Sequence, residues 1–369
     1  MSDNSKRTAL CLSGGGFRAA LFHLGALRRL NELGILSKID TITSVSGGSI
    51  LAAHLATQVT PWPERELSLE QWQENIERPF LRFVQRNIRT APILKRFLLP
   101  WNWFRPSTQV RALESCYRKH LTNLMLSELP KHPKFVFCAT DMIHGVSWVF
   151  EKHRVGSYKA GYLKRDFPLA KAVAASSCFP PVFCPMPIKE WQDMSLSDGG
   201  LYDNLGLQPV ERHDIILSSD GGQPFAASVP KGVHGRIKSY IAISGKQAGA
   251  IRKRLLISQF QDGIKQGTYW GVGSAVSRYR SDVEFGYSKE FAANIIASIR
   301  TDMDAFSEAE IAVLMNHGYL LVDIALGVHA PQLIGQTVER QVPYPEWLDE
   351  DRAKDALKDS GKIRWLGRY

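Results

Sequence analysis

Two small-residue turns near the start of the chain constrain its fold more than any other feature. "LSGGGFR" runs from Leu12 to Arg18 and "SVSGGS" from Ser44 to Ser49; each follows a short apolar run and opens a stretch with helical patterning. Residues 8–12 predict a strand, and 17–33 a helix carrying Leu21, Leu24, Leu27 and Leu30 on one face, with Gly34 as its C-cap. Residues 39–45 predict a second strand and 49–58 the helix after it. Strand, helix and strand of this length imply a right-handed parallel crossover, hence an α/β fold with a central, mostly parallel sheet flanked by helices.

Downstream the pattern changes twice. Residues 60–106, rich in Trp, Arg and Pro, read as a helical basic insertion, a candidate lid or membrane-docking element. Residues 134–140 and 146–150 then alternate as two strands around a turn at Gly145, 214–219 form another strand, and 239–244 are a further strand candidate. Ser307 and Glu310 form a capping box that opens a helix toward Ala325. Together these predict one α/β domain over 1–369, with 235–369 as a mainly helical region packed on the sheet.

The net charge of +10 is concentrated: residues 78–119 hold ten Lys/Arg against one acid, Glu114. Phe80, Val84 and Ile88 recur at helical spacing opposite Arg78, Arg82, Arg86 and Arg89, with Trp101, Trp103 and Phe104 beyond. Such a segment suits an interfacial helix, so Arg82, Arg86 and Arg89 are expected to contact anionic lipid headgroups. No nucleic-acid recognition motif accompanies the charge, and nucleic acid is not an expected partner. The opening "MSDNSKRTALCL" has no apolar signal core, and no run of eighteen apolar residues occurs. The expectation is a cytoplasmic protein, peripheral on the inner face of the membrane. Its five cysteines are odd in number and form no CxxC pair, which suits reduced thiols rather than a disulfide framework or zinc site.

Ser46 lies between a predicted strand and a predicted helix, with Ser44 two before and Gly48 two after. That is a nucleophile elbow with serine in place of the first glycine, the small flanking residues permitting a sharp turn that exposes the Ser46 hydroxyl. Gly14, Gly15 and Gly16 on the neighbouring turn can aim backbone N–H groups at an oxyanion, with Arg18 to steady the loop or attract an anion. Gly14, Gly16 and Ala19 also fit a dinucleotide fingerprint, but the second strand ends in serines and glycines, and Asp40 stands at its start rather than its end. The activating base is open at this level. "SDGG" occurs at Ser197 to Gly200 and again at Ser219 to Gly222, so Asp198 and Asp220 are both candidates, while a Ser-His-Asp esterase would recruit His317 or His329.

"LSGGGFRAALFHLGALRRLNELGIL", "SVSGGS", "AASSCFPPVF" and "LSDGGLYDN", in that order, resemble the patatin-like phospholipase family. The resemblance implies a lipid acyl hydrolase of phospholipase A or lysophospholipase type that cleaves fatty-acyl esters through an acyl-enzyme, without metal or cofactor. It implies Ser46 as nucleophile, Asp198 as base, Gly14, Gly15 and Gly16 as the oxyanion loop, and Arg18 and Gly48 in support. Asp198 is favoured because Leu201-Tyr202-Asp203-Asn204 follows its glycines, whereas Gln223-Pro224-Phe225 follows those of Asp220. Ser44 and Ala19 replace glycines frequent in the family. A catalytically silent lipid- or partner-binding protein of the same fold is the reading from another class.

Overall fold

The structure, a computed structural model, describes residues 6–90, 107–180, 182–191, 194–223, 233–283 and 285–362. Strand β1 (Thr8–Leu12) leads through the glycine loop into α1 (Gly16–Glu32), and β2 (Thr41–Val45) leads through Ser46 into α2 (Gly47–Gln58). After two short helices, α3 (Leu69–Trp72) and α4 (Arg78–Val84), joined by a π-helical turn, come α5 (Thr108–His120), β3 (Lys134–Asp141), β4 (Val146–Glu151), β5 (Arg154–Ser157) and β6 (Gly161–Leu163). Then follow α6 (Leu169–Ser177), β7 (Met186–Pro187), β8 (Ser195–Asp198), α7 (Gly200–Asp203), β9 (Ile215–Asp220), α8 (Val233–Gln261), β10 (Gln266–Gly271), α9 (Lys289–Asn294), α10 (Glu308–His329) and α11 (Glu350–Ala356).

The sheet order is β10-β9-β1-β2-β3-β4-β5-β6. From β10 to β3 every pairing is parallel, so the carboxyl ends of five strands share one rim; from β3 outward the pairings are antiparallel. One further pairing positions the site. β2 runs along β3 only as far as Val45, opposite Cys138, and β8 then continues antiparallel to β3 with Asp198 opposite Ala139. The ends of β2 and β8 therefore meet at consecutive residues of β3.

Alternation along β1 sends Leu10 and Leu12 into the main core beneath α1, α2 and α10, and Ala9 and Cys11 into a smaller core with Leu256 and Phe260 of α8. The capping box at Ser307 and Glu310 forms, and its helix continues to His329. Although α10 is long and apolar enough to span a bilayer, it is mostly buried inside the protein. Cys11, Cys138 and Cys178 are buried free thiols. Residues 239–244 are a correction: they lie inside α8, whose helix runs unbroken through them. Helical 235–369 likewise hides an edge strand, β10.

The basic insertion also departs from expectation. Phe80, Val84 and Ile88 are buried in the main core, so the face expected to meet lipid already packs on the protein. Arg82 and Arg86 are exposed, but Arg89 is buried and ion-paired with Asp302, which removes it from the outer surface of the insertion. Trp101, Trp103 and Phe104 lie outside the described residues.

Helices α1 and α10 cross at close range because each lacks a side chain there: a Cβ on Gly25 would lie 1.9 Å from the Met315 carbonyl oxygen, and one on Gly318 1.9 Å from that of Phe22. Gly318→Ala is therefore expected to lower the unfolding free energy by about 3 kcal/mol, read by urea denaturation. Wild-type stability in that variant would mean that the crossing is looser than described.

Candidate active site

Ser46 has φ 50° and ψ −114°, and among the described residues it is the sole non-glycine at positive φ. A strained backbone of this kind costs about 1–3 kcal/mol and persists only where its surroundings impose it. Here they do. A Cβ on Gly48 would lie 2.2 Å from the Leu12 carbonyl oxygen, so α2 starts hard against the end of β1. The Ser46 N–H donates to the Ser176 hydroxyl at 2.9 Å, and that hydroxyl donates to the Cys138 carbonyl at 2.6 Å. Ser49 Oγ bridges Ser44 at 3.0 Å and Ser176 at 2.8 Å. Ser44 is thus accommodated by a role of its own, in a hydroxyl cluster under the elbow.

The glycine loop lies directly beside this turn. Gly15 and Gly16 have φ of 148° and 61°, a conformation closed to ordinary side chains. A Cβ on Gly14 would sit 3.1 Å from the Ser46 Cβ, so the loop backbone touches the serine itself. The Gly14 N–H is already donated to the Asn204 carbonyl at 3.1 Å. Among the described residues the Gly15 and Gly16 N–H groups have no internal acceptor, so of the three loop amides these two are free to donate.

Arg18 holds the loop rather than drawing in anions. Fully buried, it donates through Nε and Nη2 to the Gly221 carbonyl at 3.2 and 2.8 Å and through Nη1 to the Ile299 carbonyl at 3.0 Å. Burial pulls its pKa down to about 10, and the nearby Asp220 opposes that shift. His23 completes the stitching, with Nδ1 2.6 Å from Ser219 Oγ and Nε2 3.0 Å from the Ser13 carbonyl, and burial lowers its pKa to about 4.

The two aspartates differ in what their oxygens do. In Asp220, at the end of β9, Oδ2 accepts the Tyr269 hydroxyl at 2.6 Å and Oδ1 the Gly222 N–H at 2.9 Å. In Asp198, Oδ1 accepts the Gly200 N–H at 2.7 Å, whereas Oδ2 is buried without a partner. The Ser46 hydroxyl is close enough to pull the Asp198 pKa down, although the two groups do not complete a well-formed hydrogen bond. Burial acts more strongly and raises that carboxyl from 3.8 to about 6. Asn204 wedges between the two motifs: its Oδ1 is 2.5 Å from where a Gly14 Cβ would be and 2.6 Å from where one on Gly200 would be.

Ser46, Asp198, the three loop glycines and Asp220 all line one cavity of about 1250 Å³, walled in part by Phe179, Val182, Phe183 and Met303. Its volume admits a long acyl chain, and its apolar walls suit one. His329 lines the same cavity, edge-on to Tyr279, while His317 is buried with Nε2 3.0 Å from the Val272 carbonyl. Two residues with a role here carried no separate signal in the sequence, Ser176 and Asp302, whose carbonyl accepts the Phe17 N–H at 2.8 Å and so pins the glycine loop, whereas Asn204 belongs to the pair that favoured Asp198. Ser176 and Asn204 do stand inside the motifs "AASSCFPPVF" and "LSDGGLYDN"; Asp302 stands in none.

The sequence profile of patatin-like phospholipases matches residues 10–210, more than half of the chain, from β1 to the turn before β9. The chain belongs to the patatin-like phospholipase family. Patatin-like phospholipase domain-containing proteins of Aspergillus niger and Phaeosphaeria nodorum are 47% and 45% identical to it over 58 residues, which is 16% of this chain and 7% of each fungal protein. Among solved structures, human GIVD cytosolic phospholipase A2 in complex with methyl gamma-linolenyl fluorophosphonate superimposes with a TM-score of 0.52 at 14% identity, over 94% of this chain and 59% of that one. VipD from Legionella pneumophila matches at 14% identity with a TM-score of 0.38, over 88% of this chain and 67% of its own. At 14% identity the likeness to the phospholipase A2 is one of fold alone.

The raised Asp198 pKa has a stability consequence in this patatin-like site. Because the folded state holds the proton more tightly than the unfolded chain, ionised Asp198 destabilises the fold; the penalty is absent below pH ~4 and complete above about pH 6. Asp198→Asn should therefore be more stable than wild type above pH ~6, by up to about 3 kcal/mol, with the gain vanishing near pH ~4. Thermal unfolding across pH measures this, and a variant less stable than wild type at neutral pH would contradict it.

Proposed function

We propose that the chain is a lipid acyl hydrolase of phospholipase A or lysophospholipase type, acting through Ser46 and Asp198. The observation that carries the reading is the pairing of a strained serine with a buried carboxylate oxygen that has no partner, in one apolar cavity. An unpaired buried acceptor costs about 1–3 kcal/mol, a cost that a proton-accepting role explains and a structural role does not. Asp220, with both oxygens engaged, is a fixed strand end.

In the proposed reaction Asp198 accepts the Ser46 proton as Oγ attacks the ester carbonyl, and the Gly15 and Gly16 N–H groups receive the developing oxyanion. The tetrahedral intermediate collapses, the alcohol leaves with the proton returned by Asp198, and the fatty acyl group stays on Ser46. Water, deprotonated by Asp198, then releases the fatty acid. Esters suit this scheme better than amides because an alkoxide needs less help from a proton donor to leave than an amide anion does. The family and the cavity walls favour a lipid ester, and the working location in this proposal is a cytoplasmic membrane surface.

A fluorophosphonate probe should label wild type at Ser46 and leave Ser46→Ala unlabelled, and both Ser46→Ala and Asp198→Asn should lose about 10³-fold or more of kcat/KM on a fatty-acyl ester. Asp220→Asn should keep activity within about tenfold. Since the base must be ionised, kcat/KM should fall tenfold per unit of pH below about 6, the value to which burial raises Asp198. A folded wild type that neither labels nor hydrolyses would favour the silent binding protein instead.

A further inference from the structure

Helix α8 carries a face with no partner among the described residues. Leu256 and Phe260 pack under the sheet, and Gly249, Ala250 and Lys253 border the cavity that holds Ser46. At 100° per residue, Ile251 and Leu255 lie diametrically opposite this inner side. Each is 58% exposed, and Ile264, in the turn after the helix, is 68% exposed. Adjacent aliphatic residues at such exposure are costly in water unless something covers them.

The charge around this stripe narrows what that cover is. From Gly221 to Ile264 the sequence holds seven Lys/Arg against one acid, Asp262, which accepts from the Ser258 hydroxyl at 3.0 Å. Arg252 and Arg254 flank the stripe on either side, with Arg254 exposed. A water-facing aliphatic stripe with cations alongside is the pattern of a helix that lies in the headgroup region of an anionic bilayer. Arg252 also joins this helix to the site: its Nη1 donates to the Tyr202 carbonyl at 2.7 Å, and its guanidinium lies 4.6 Å from the Tyr202 ring centroid, on the helix that directly follows Asp198.

We infer that the outer face of α8, centred on Ile251, Leu255 and Arg254, docks the protein on anionic phospholipid bilayers. The inference rests on the reading of the chain as a lipid hydrolase, and it takes the docking role away from the arginines of the insertion, whose apolar face is already buried.

Flotation with vesicles tests it. Wild type should float with phosphatidylcholine–phosphatidylglycerol vesicles and far less with phosphatidylcholine alone. Arg254→Gln should weaken that binding about fivefold at low salt, and Ile251→Glu with Leu255→Glu at least about tenfold. Circular dichroism and hydrolysis of a soluble short-chain ester show whether the double variant still folds. Ser46→Ala should float like wild type, so that loss of the catalytic reading and loss of docking register separately. Unchanged flotation of the folded double variant, or equal flotation on neutral vesicles, overturns the inference. So does light scattering that finds a wild-type dimer dissolved by the double variant, which would make this face an interface between copies.

Discussion

The whole site depends on the way two strands share one edge of β3. β2 occupies that edge up to Cys138, and β8 takes it over at Ala139 from the opposite direction. Strand pairing is specified to the residue, because a slip of one position would turn each side chain to the other face. The serine that follows Val45 and the aspartate that ends β8 are therefore brought together by backbone hydrogen bonds, remote in sequence and adjacent in space. No flexible side chain has to find its partner. Ser176 reinforces the junction by bridging the Ser46 N–H to the Cys138 carbonyl, on the same strand.

Around this junction the protein tolerates local costs that a purely structural turn would avoid. Ser46 is held in an unfavourable backbone conformation, Asp198 is buried with one oxygen unpaired, and Gly15 and Gly16 leave two amides unsatisfied. These costs sit within one cavity wall, and the supports that maintain them are rigid: the buried Arg18 on two carbonyls, His23 between Ser13 and Ser219, and Asp302 against the glycine loop. Donors and acceptors fixed in place before a substrate arrives need no reorganisation as charge develops. The large core beneath α1, α2 and α10 supplies the stability against which the strain is set.

Much of the fold was legible in the chain because its signals are local. The alternation of apolar runs with small-residue turns predicted β1, α1, β2 and α2 to within two residues, and the capping box at Ser307 marked the start of α10. Where the reading failed, long-range packing overrode local pattern. Residues 239–244 look like a strand but continue a long helix. Arg89 looks like a surface cation in an arginine face, yet Asp302, far along the chain, draws it into the interior. Phe80, Val84 and Ile88 form an apolar stripe whose spacing is the same whether it meets lipid or a protein core, and here it meets the core. Periodicity reveals that a face is apolar without naming what covers it.

The choice between the two SDGG motifs shows the same division. From the sequence alone came the serine turn, the glycine loop beside it and a pair of aspartates equal in local turn chemistry; family resemblance, rather than physics, separated them. Only the tertiary structure distinguishes them physically. β9 carries Asp220 to Tyr269 and Gly222, which occupy both of its oxygens, whereas β8 carries Asp198 into the cavity wall beside Ser46 with Oδ2 buried and unpaired. The reason is that a carboxylate's surroundings belong to its strand register and to the side chains that other elements bring against it, and neither is written within a few residues of the aspartate itself.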